Sequence, residues 1–213
     1  MPARDMLPFY AARFSTVEIN HTFYRMPAAK ALAEWAAAVP EGFQFALKAN
    51  RNITHIRRLR DCEESVERFL EAAKALAETG RLGPVLVQLP PNFAADLPRL
   101  GAFLKLLPAD RRFALEVRHA SWHAPEAYEL LREFGAALCI AETNEESAPE
   151  MLTAEFTYLR LRKTTYTRAE LKTWREKCRA WMRQGTDVYV YFKHEDSGTA
   201  PAYARQLLEQ PAD

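Results

Sequence analysis

The stretch VEINHTFYR, residues 17–25, opens as a β-strand and ends as a polar cluster. Val17 and Ile19 alternate with Glu18 and Asn20, and His21, Tyr24 and Arg25 follow at once. Period-two alternation sorts side chains onto opposite faces of a strand. If the strand is buried, the face that carries a carboxylate and an amide must find partners for them. The rest of the chain decides which architecture supplies those partners.

Similar strand patterns recur at 16–20, 43–48, 85–89, 113–117, 137–141, 156–161 and 187–192. They are short and rich in Val, Ile, Phe and Tyr, as strands prefer. Helical patterns fall between them at 28–38, 62–78, 97–107, 125–134, 168–184 and 199–209. In the second of these, Val66, Phe69, Leu70, Ala73 and Leu76 recur at helical spacing. Asp96 and Thr167 stand where N-caps are needed. Strands alternating with helices mean an α/β fold with a mostly parallel sheet. Seven strands, each followed by a helix or a long connection, suit a TIM (β/α) barrel better than an open sheet. A doubly wound sheet that binds nucleotides carries a glycine-rich turn after its first strand, and none is present. A complete barrel has eight strands, so one is missing from the pattern. The chain reads as one barrel domain over residues 1–213.

In a parallel barrel one strand face meets the helices and the other meets the barrel interior. Val17 and Ile19 then face the helices and leave Glu18 and Asn20 inside. The same rule sends Gln44, Ala46 and Lys48 inward, then Gln88, then Ala114, Glu116 and Arg118. It also sends Arg160 inward against Leu159 and Leu161, and Tyr189, Tyr191 and Lys193 against Val188, Val190 and Phe192. The inward face is therefore polar near the C-terminal end of strand after strand, where barrel enzymes build their sites. Glu18 and Glu116 oppose Lys48, Arg118, Arg160 and Lys193, a cationic surplus that favours a phosphate or carboxylate ligand. The structural alternative is an internal salt-bridge network that holds the barrel together. His21, His55, His119, His123 and His194 also follow strand ends, although a single histidine is usually a hydrogen-bonded structural or surface residue.

Bulk properties exclude several classes. With 48% hydrophobic and 27% charged residues, the chain is that of an ordinary globular protein. A net charge of +1 gives no whole-molecule attraction to nucleic acid or membrane. Cys62, Cys139 and Cys178 form no CxxC pair, which speaks against structural zinc or a redox motif. The start carries no secretory signal, and no stretch is long and apolar enough to span a membrane. A reducing cytoplasm is the natural location.

Five strings occur in order: VEINHTFYR, FALKANRNITH, LGPVLVQLPPNF, FALEVRHASW, and YLRLR shortly before a Tyr. In this order they resemble the YecE-like proteins, also called the domain-of-unknown-function family seventy-two. The resemblance spans about Leu7 to Leu208. It implies a TIM barrel and implies no reaction, because none is securely assigned to the family. Members usually begin with a strand and loop reading roughly IGTSGWxY; here the chain starts within the following helix, at about residues 3–14. The missing strand is therefore the first. Either the start codon is placed too far downstream, or the barrel has a seam between the Val17 and Val188 strands, whose edges invite self-association or covering by a terminus. Where many members read YFNN this chain reads YFKHED, which makes the rim more basic.

The candidate catalytic set is Glu18, Lys48, His55, Glu116 and Arg118. Two carboxylates on separate strands suit general acid–base chemistry when their environments separate their pKa values. Glu116 is the leading base, and His55 is a proton shuttle. Lys48 is a Schiff-base lysine or, in the simpler reading, an ion-pair partner of Glu18. The ligand-binding set is Asn20, Tyr24, Gln88, His119, Trp122, Arg160, Tyr166, Tyr191 and Lys193. In it Tyr24, Trp122, Tyr166 and Tyr191 are aromatic walls or rim packing, and Arg160 is a phosphate or carboxylate clamp. The basic stretch KANRNITHIRRLR is either a phosphate-backbone grip or solvated surface. A divalent metal is an option, without an HExxH motif to fix it. These readings lead to a hydrolase or lyase acting on an anionic, phosphate-containing small molecule or nucleic acid. The alternative is a non-catalytic anionic-ligand binding protein on a degenerate barrel.

Overall fold

The computed structural model describes residues 2–192 and 198–209. Among the described residues seven strands form one parallel sheet in chain order. They are β1 (Thr16–Ile19), β2 (Gln44–Lys48), β3 (Leu82–Gln88), β4 (Phe113–Glu116), β5 (Ala137–Glu142), β6 (Phe156–Leu161) and β7 (Asp187–Phe192). The helices of the outer layer are α1 (Ala3–Ala11), α2 (His21–Tyr24), α3 (Ala29–Ala37), α4 (Glu63–Ala77), α5 (Leu97–Leu104), α6 (Pro125–Glu133), α7 (Arg168–Arg183) and α8 (Ala200–Leu208). The result is a nearly closed TIM-type barrel with seven strands.

Local chemistry sets the helix ends. Asp96 accepts a hydrogen bond from the Arg99 backbone at the start of α5. Thr167 and Glu170 form a reciprocal capping box at the start of α7. Gly135 and Gly185 follow α6 and α7 with φ of 61° and 85°, a left-handed turn that glycine makes without strain. Two short turns carry no periodic signal in the sequence. Residues 21–24, within the polar cluster that follows the first strand, form the helical turn α2. Asn52–Ile56 forms a π-helical turn, a form concentrated at functional sites.

The alternation rule holds through the barrel. Phe45, Leu47, Val85, Val87, Leu115 and Leu138 pack outward under the helices, joined by Val17 and Ile19. Leu159, Leu161, Val188 and Val190 do the same under α7 and α8. The interior core is asymmetric. Ala46, Leu86, Ala114, Ala137 and Cys139 line β2 to β5, and Phe156, Tyr158, Tyr189 and Tyr191 project from β6 and β7. Small residues on one arc make room for rings from the other, which keeps packing dense.

Among the described residues no backbone pairing joins β7 to β1. Side chains bridge that seam instead. Thr16 Oγ1 and Tyr191 Oη lie 2.8 Å apart, and Tyr158 Oη donates to Glu18 at 2.8 Å. Tyr189 Oη donates to Gln44 on β2 at 2.7 Å. Arg160 crosses the barrel to Glu18 with two further bonds.

Candidate functional site

The polar ring sits at the C-terminal ends of the strands. At its centre is Arg160 of β6. Its Nε and Nη2 donate to the two oxygens of Glu18 at 2.9 and 2.7 Å, and its Nη1 donates to Glu116 at 2.5 Å. Ala141 is the β5 partner of Arg160 in the register, and its small side chain leaves the guanidinium room. Gln88 is the β3 partner of Glu116, so its amide falls directly on the Glu116 carboxylate, at 2.8 Å. Arg118 Nε donates to the other oxygen of Glu116 at 3.0 Å, and Arg162 approaches that oxygen to 3.7 Å. Asn20 donates to Glu18 at 3.0 Å.

Burial would raise the pKa of Glu116, but Arg160 and Arg118 outweigh it and hold the carboxyl at about 2. Burial likewise opposes the charge on Arg160, and Glu18 and Glu116 overcome it, so its pKa is raised. Burial, and then Glu18, keep the Tyr158 phenol protonated as a donor. Glu116, the leading base candidate from sequence, is thus held ionised by its partners. A carboxylate this acidic, with four polar partners, is an anchor at neutral pH. Arg160, expected to clamp a ligand, bonds two carboxylates of the protein itself.

Lys48 breaks the other simple expectation. Arg160 holds Glu18, and the Lys48 ammonium has neither a hydrogen bond nor a carboxylate at salt-bridge distance among the described residues. It lies instead 4.2 Å over the ring of Phe23. The residue is 8% exposed, with its charged end in contact with the solvent of the mouth. Burial first, and then Arg160, push its pKa down to about 8. His55 meets the same Phe23 ring edge-on, with centroids 4.8 Å apart. Burial, and then Lys48, lower the pKa of His55, so its imidazole is neutral at neutral pH.

The lysine and the Phe23 ring are held by a local lock. Thr22 on α2 donates to the Lys48 carbonyl at 2.7 Å, and Asn50 donates to the Thr22 carbonyl at 3.0 Å. Asn50 also accepts from the backbone of Asn52, which opens the π-helical turn carrying His55. Just beyond it, Arg58, Leu59 and Asp61 have φ of 49°, 64° and 46°, unusual for side-chain-bearing residues. This strained segment presents Arg57, Arg58 and Arg60, with Arg99, around a notch of about 430 Å³. Part of that charge is engaged, since Arg58 donates to Asn92 and Arg99 pairs with Asp96.

The structure brings Glu18, Asn20, Lys48, His55, Gln88, Glu116, Arg118 and Arg160 to one ring. Tyr191 lies just below it, its ring 4.9 Å from that of Tyr158. Tyr24 is exposed at the rim. Two aromatic expectations are corrected. Trp122 is 1% exposed, and its indole N–H donates to the Phe93 carbonyl, so it packs in the core beneath a 3₁₀ turn. Tyr166 packs on Phe192 and Tyr203 outside the barrel, and its hydroxyl accepts from the Lys163 backbone. The described histidines other than His55 have separate surroundings. His119 pairs with Ser121, His123 with Tyr128, and His21 is exposed. Lys193 and His194 lie outside the described residues. Arg162 and Phe23 were not singled out from sequence. Arg162 follows Arg160 by two positions, which is the alternation signal that finds it.

Glu18 and Glu116 face Arg160, Arg118, Arg162 and Lys48, so among the described residues the ring has two more cations than anions. Its chemical capacity is to hold an anion beside an amine that is readily deprotonated. Among the described residues, no three His, Cys, Asp or Glu side chains converge as metal ligands. A larger cavity, about 980 Å³, opens at the opposite end of the barrel, lined by Gln44, Gly83, Arg112, Asp187 and Tyr189. There Arg112 is already paired with Asp187 at 2.5 Å and with Tyr189 at 2.9 Å. That end of a barrel serves stability, so the charge-rich mouth is the better site.

A family model described as "Protein of unknown function DUF72" matches residues 1–212. The UPF0759 protein YecE of Escherichia coli K12 is 28% identical over 229 residues, covering 94% of this chain and 83% of its own. The UPF0759 protein YunF of Bacillus subtilis 168 is 27% identical over 248 residues, covering 97% and 86%. The crystal structure of a DUF72 family protein, TM1631 of Thermotoga maritima, is similar with a TM-score of 0.85 and 25% identity, covering 98% of this chain and 91% of that one. That of EF0366 from Enterococcus faecalis V583 gives 0.83 at 23% identity, covering 95% and 92%.

Proposed function

The chain belongs to the DUF72 family, and we propose that the C-terminal mouth of its barrel binds an anionic, phosphate-containing substrate and acts on it as a hydrolase or lyase. The observation that carries this reading is the positive charge of the mouth that no carboxylate among the described residues offsets. Arg160 already neutralises Glu18 and reaches Glu116, yet Arg118, Arg162 and Lys48 crowd the same space. Cations kept close to one another and partly desolvated are unfavourable unless an anion joins them. A phosphate between Arg118 and Arg162 supplies it, with the fork geometry that guanidinium groups favour.

The acid–base work falls to Lys48 and His55, whose pKa values are both lowered toward neutrality or below it. Glu116 and Glu18 hold Arg160, and through it the ring. A nucleic-acid substrate would extend from the mouth across Arg57, Arg58 and Arg60. The second reading is a non-catalytic anion-binding protein, and it draws on the locking of both carboxylates in ion pairs.

The test is a turnover screen with phosphorylated small molecules and a short single-stranded oligonucleotide, following released phosphate or fragments. Turnover by wild type that falls at least tenfold in Lys48→Met supports catalysis. Melting-temperature shifts by the same compounds without turnover favour the binding protein. Neither shift nor turnover removes both readings.

A further inference from the structure

We propose that Lys48 forms a Schiff base with the carbonyl group of an anionic aldehyde or ketone whose phosphate or carboxylate is held by Arg118 and Arg162. The proposal rests on the reading of the mouth as an anion site and names its substrate class.

The geometry that supports it is specific to this lysine. Lys48 is buried at the end of β2, fixed by the Thr22–Asn50 lock, and left without a counter-ion among the described residues because Arg160 has taken Glu18. Lysines that only balance charge sit against a carboxylate, as Lys163 does at 3.0 Å from Glu142 and Glu170. Lys48 rests on an aromatic ring, with Arg160 and Arg118 in its field. An amine desolvated beside other cations is the usual arrangement for a nucleophilic lysine. Its lowered pKa adds to this by making the neutral amine available near neutral pH.

The step balances without any further reactant. The Nζ lone pair adds to the carbonyl carbon and the π pair moves onto oxygen; the nitrogen then loses one proton as the oxygen gains one. The nitrogen lone pair freed by that loss expels the oxygen as water with a second proton, drawn from solvent, leaving a protonated C=N bond to Lys48. His55, across the Phe23 ring, is neutral and able to relay these protons. The iminium withdraws an electron pair from an adjacent bond, which is the electron sink that lyase chemistry needs.

The experiment uses the full chain with glyoxylate, pyruvate or dihydroxyacetone phosphate, each with cyanoborohydride to reduce any imine, followed by peptide mass spectrometry. Neutral propionaldehyde is the control. The other seven lysines of the chain are internal references. The expected result is reduced adduct on Lys48 at least tenfold above any other lysine, and at least tenfold more with an anionic probe than with propionaldehyde. Inorganic phosphate should suppress it, and Lys48→Met, checked for folding by circular dichroism, should lack it. Adduct spread over exposed lysines, or equal labelling by propionaldehyde, overturns the proposal. The wild-type comparison decides this even if the variant misfolds. If phosphate raises the melting temperature but no Lys48 adduct forms, the Schiff base falls and the anion site stands. If phosphate has no effect and anionic probes show no preference, both fall.

Discussion

Replacing Lys48 by Met should make the protein more stable at neutral pH. In the folded chain its pKa is about 8, against the ordinary lysine value of 10.5. Below pH 8 the lysine is charged in both folded and unfolded chains, and the folded chain bears the penalty. A shift of this size corresponds to roughly 3 kcal/mol at 1.36 kcal/mol per unit. The ammonium touches the solvent of the mouth, so screening reduces this to about 1.5–2 kcal/mol. Met has similar length, keeps the contact with Phe23, and carries no charge to desolvate. The sign with pH follows from proton counting. Between pH 8 and 10.5 the unfolded chain binds more protons than the folded one, so wild-type stability rises with pH there. The gap between variant and wild type should therefore narrow by about 1 kcal/mol between pH 7 and pH 9.5. Urea denaturation of both proteins at the two pH values measures it, with the slopes compared to confirm like transitions. A variant less stable than wild type at pH 7, or a gap that does not change with pH, refutes the picture of a strained, uncompensated lysine. A stabilising loss of a buried charged residue is what a functional site produces and a structural ion pair does not.

Further perturbations test the parts around it. Glu116→Gln should cost roughly 3 kcal/mol at pH 7, because its carboxyl is held at about 2 against an ordinary 4.5. That stability is present above pH 4.5 and is lost as pH falls toward 2, so chemical denaturation should show the gap shrinking to about half by pH 3. Tyr191→Phe removes the bond to Thr16 across the seam; it should lower stability by about 1 kcal/mol and speed amide exchange in β1 relative to β4. Trp122→Phe should destabilise by about 1–2 kcal/mol, since the Phe93 carbonyl loses its donor, while leaving phosphate-induced melting shifts unchanged. A changed ligand response in that variant would return Trp122 to the mouth.

The fold was largely legible because period-two alternation is local. It placed Glu18, Lys48, Gln88, Glu116 and Arg160 on the inner face of their strands, and the motifs pointed to the family that the chain matches over residues 1–212. What alternation does not encode is which inward side chain meets which across the barrel. Arg160 reaches Glu18 from 142 positions away, and only closure at the seam brings them together. That is why Lys48, nearer in sequence and on the neighbouring strand, looked like the natural partner of Glu18. Charge type alone also hid the competition for Glu116, which Arg160, Arg118 and Gln88 settle by direct bonds. Aromatic identity carried still less information. Trp122 and Tyr191 are both large and both buried, but one packs under Phe93 and the other faces the barrel interior. The π-helical turn at Asn52–Ile56 has no periodic signature, so the placement of His55 beside Phe23 emerges only in three dimensions.

The central claim is that the mouth of the barrel is an anion site built by Arg118 and Arg162 beside Lys48. Isothermal titration calorimetry with inorganic pyrophosphate addresses it most directly, comparing wild type with the Arg118→Ala, Arg162→Ala double variant at low salt. Each charge-assisted bond is worth about 1.5–3 kcal/mol. Wild type should bind, and the double variant should bind at least a hundredfold more weakly while retaining its fold. Equal affinity in the two proteins would contradict the account.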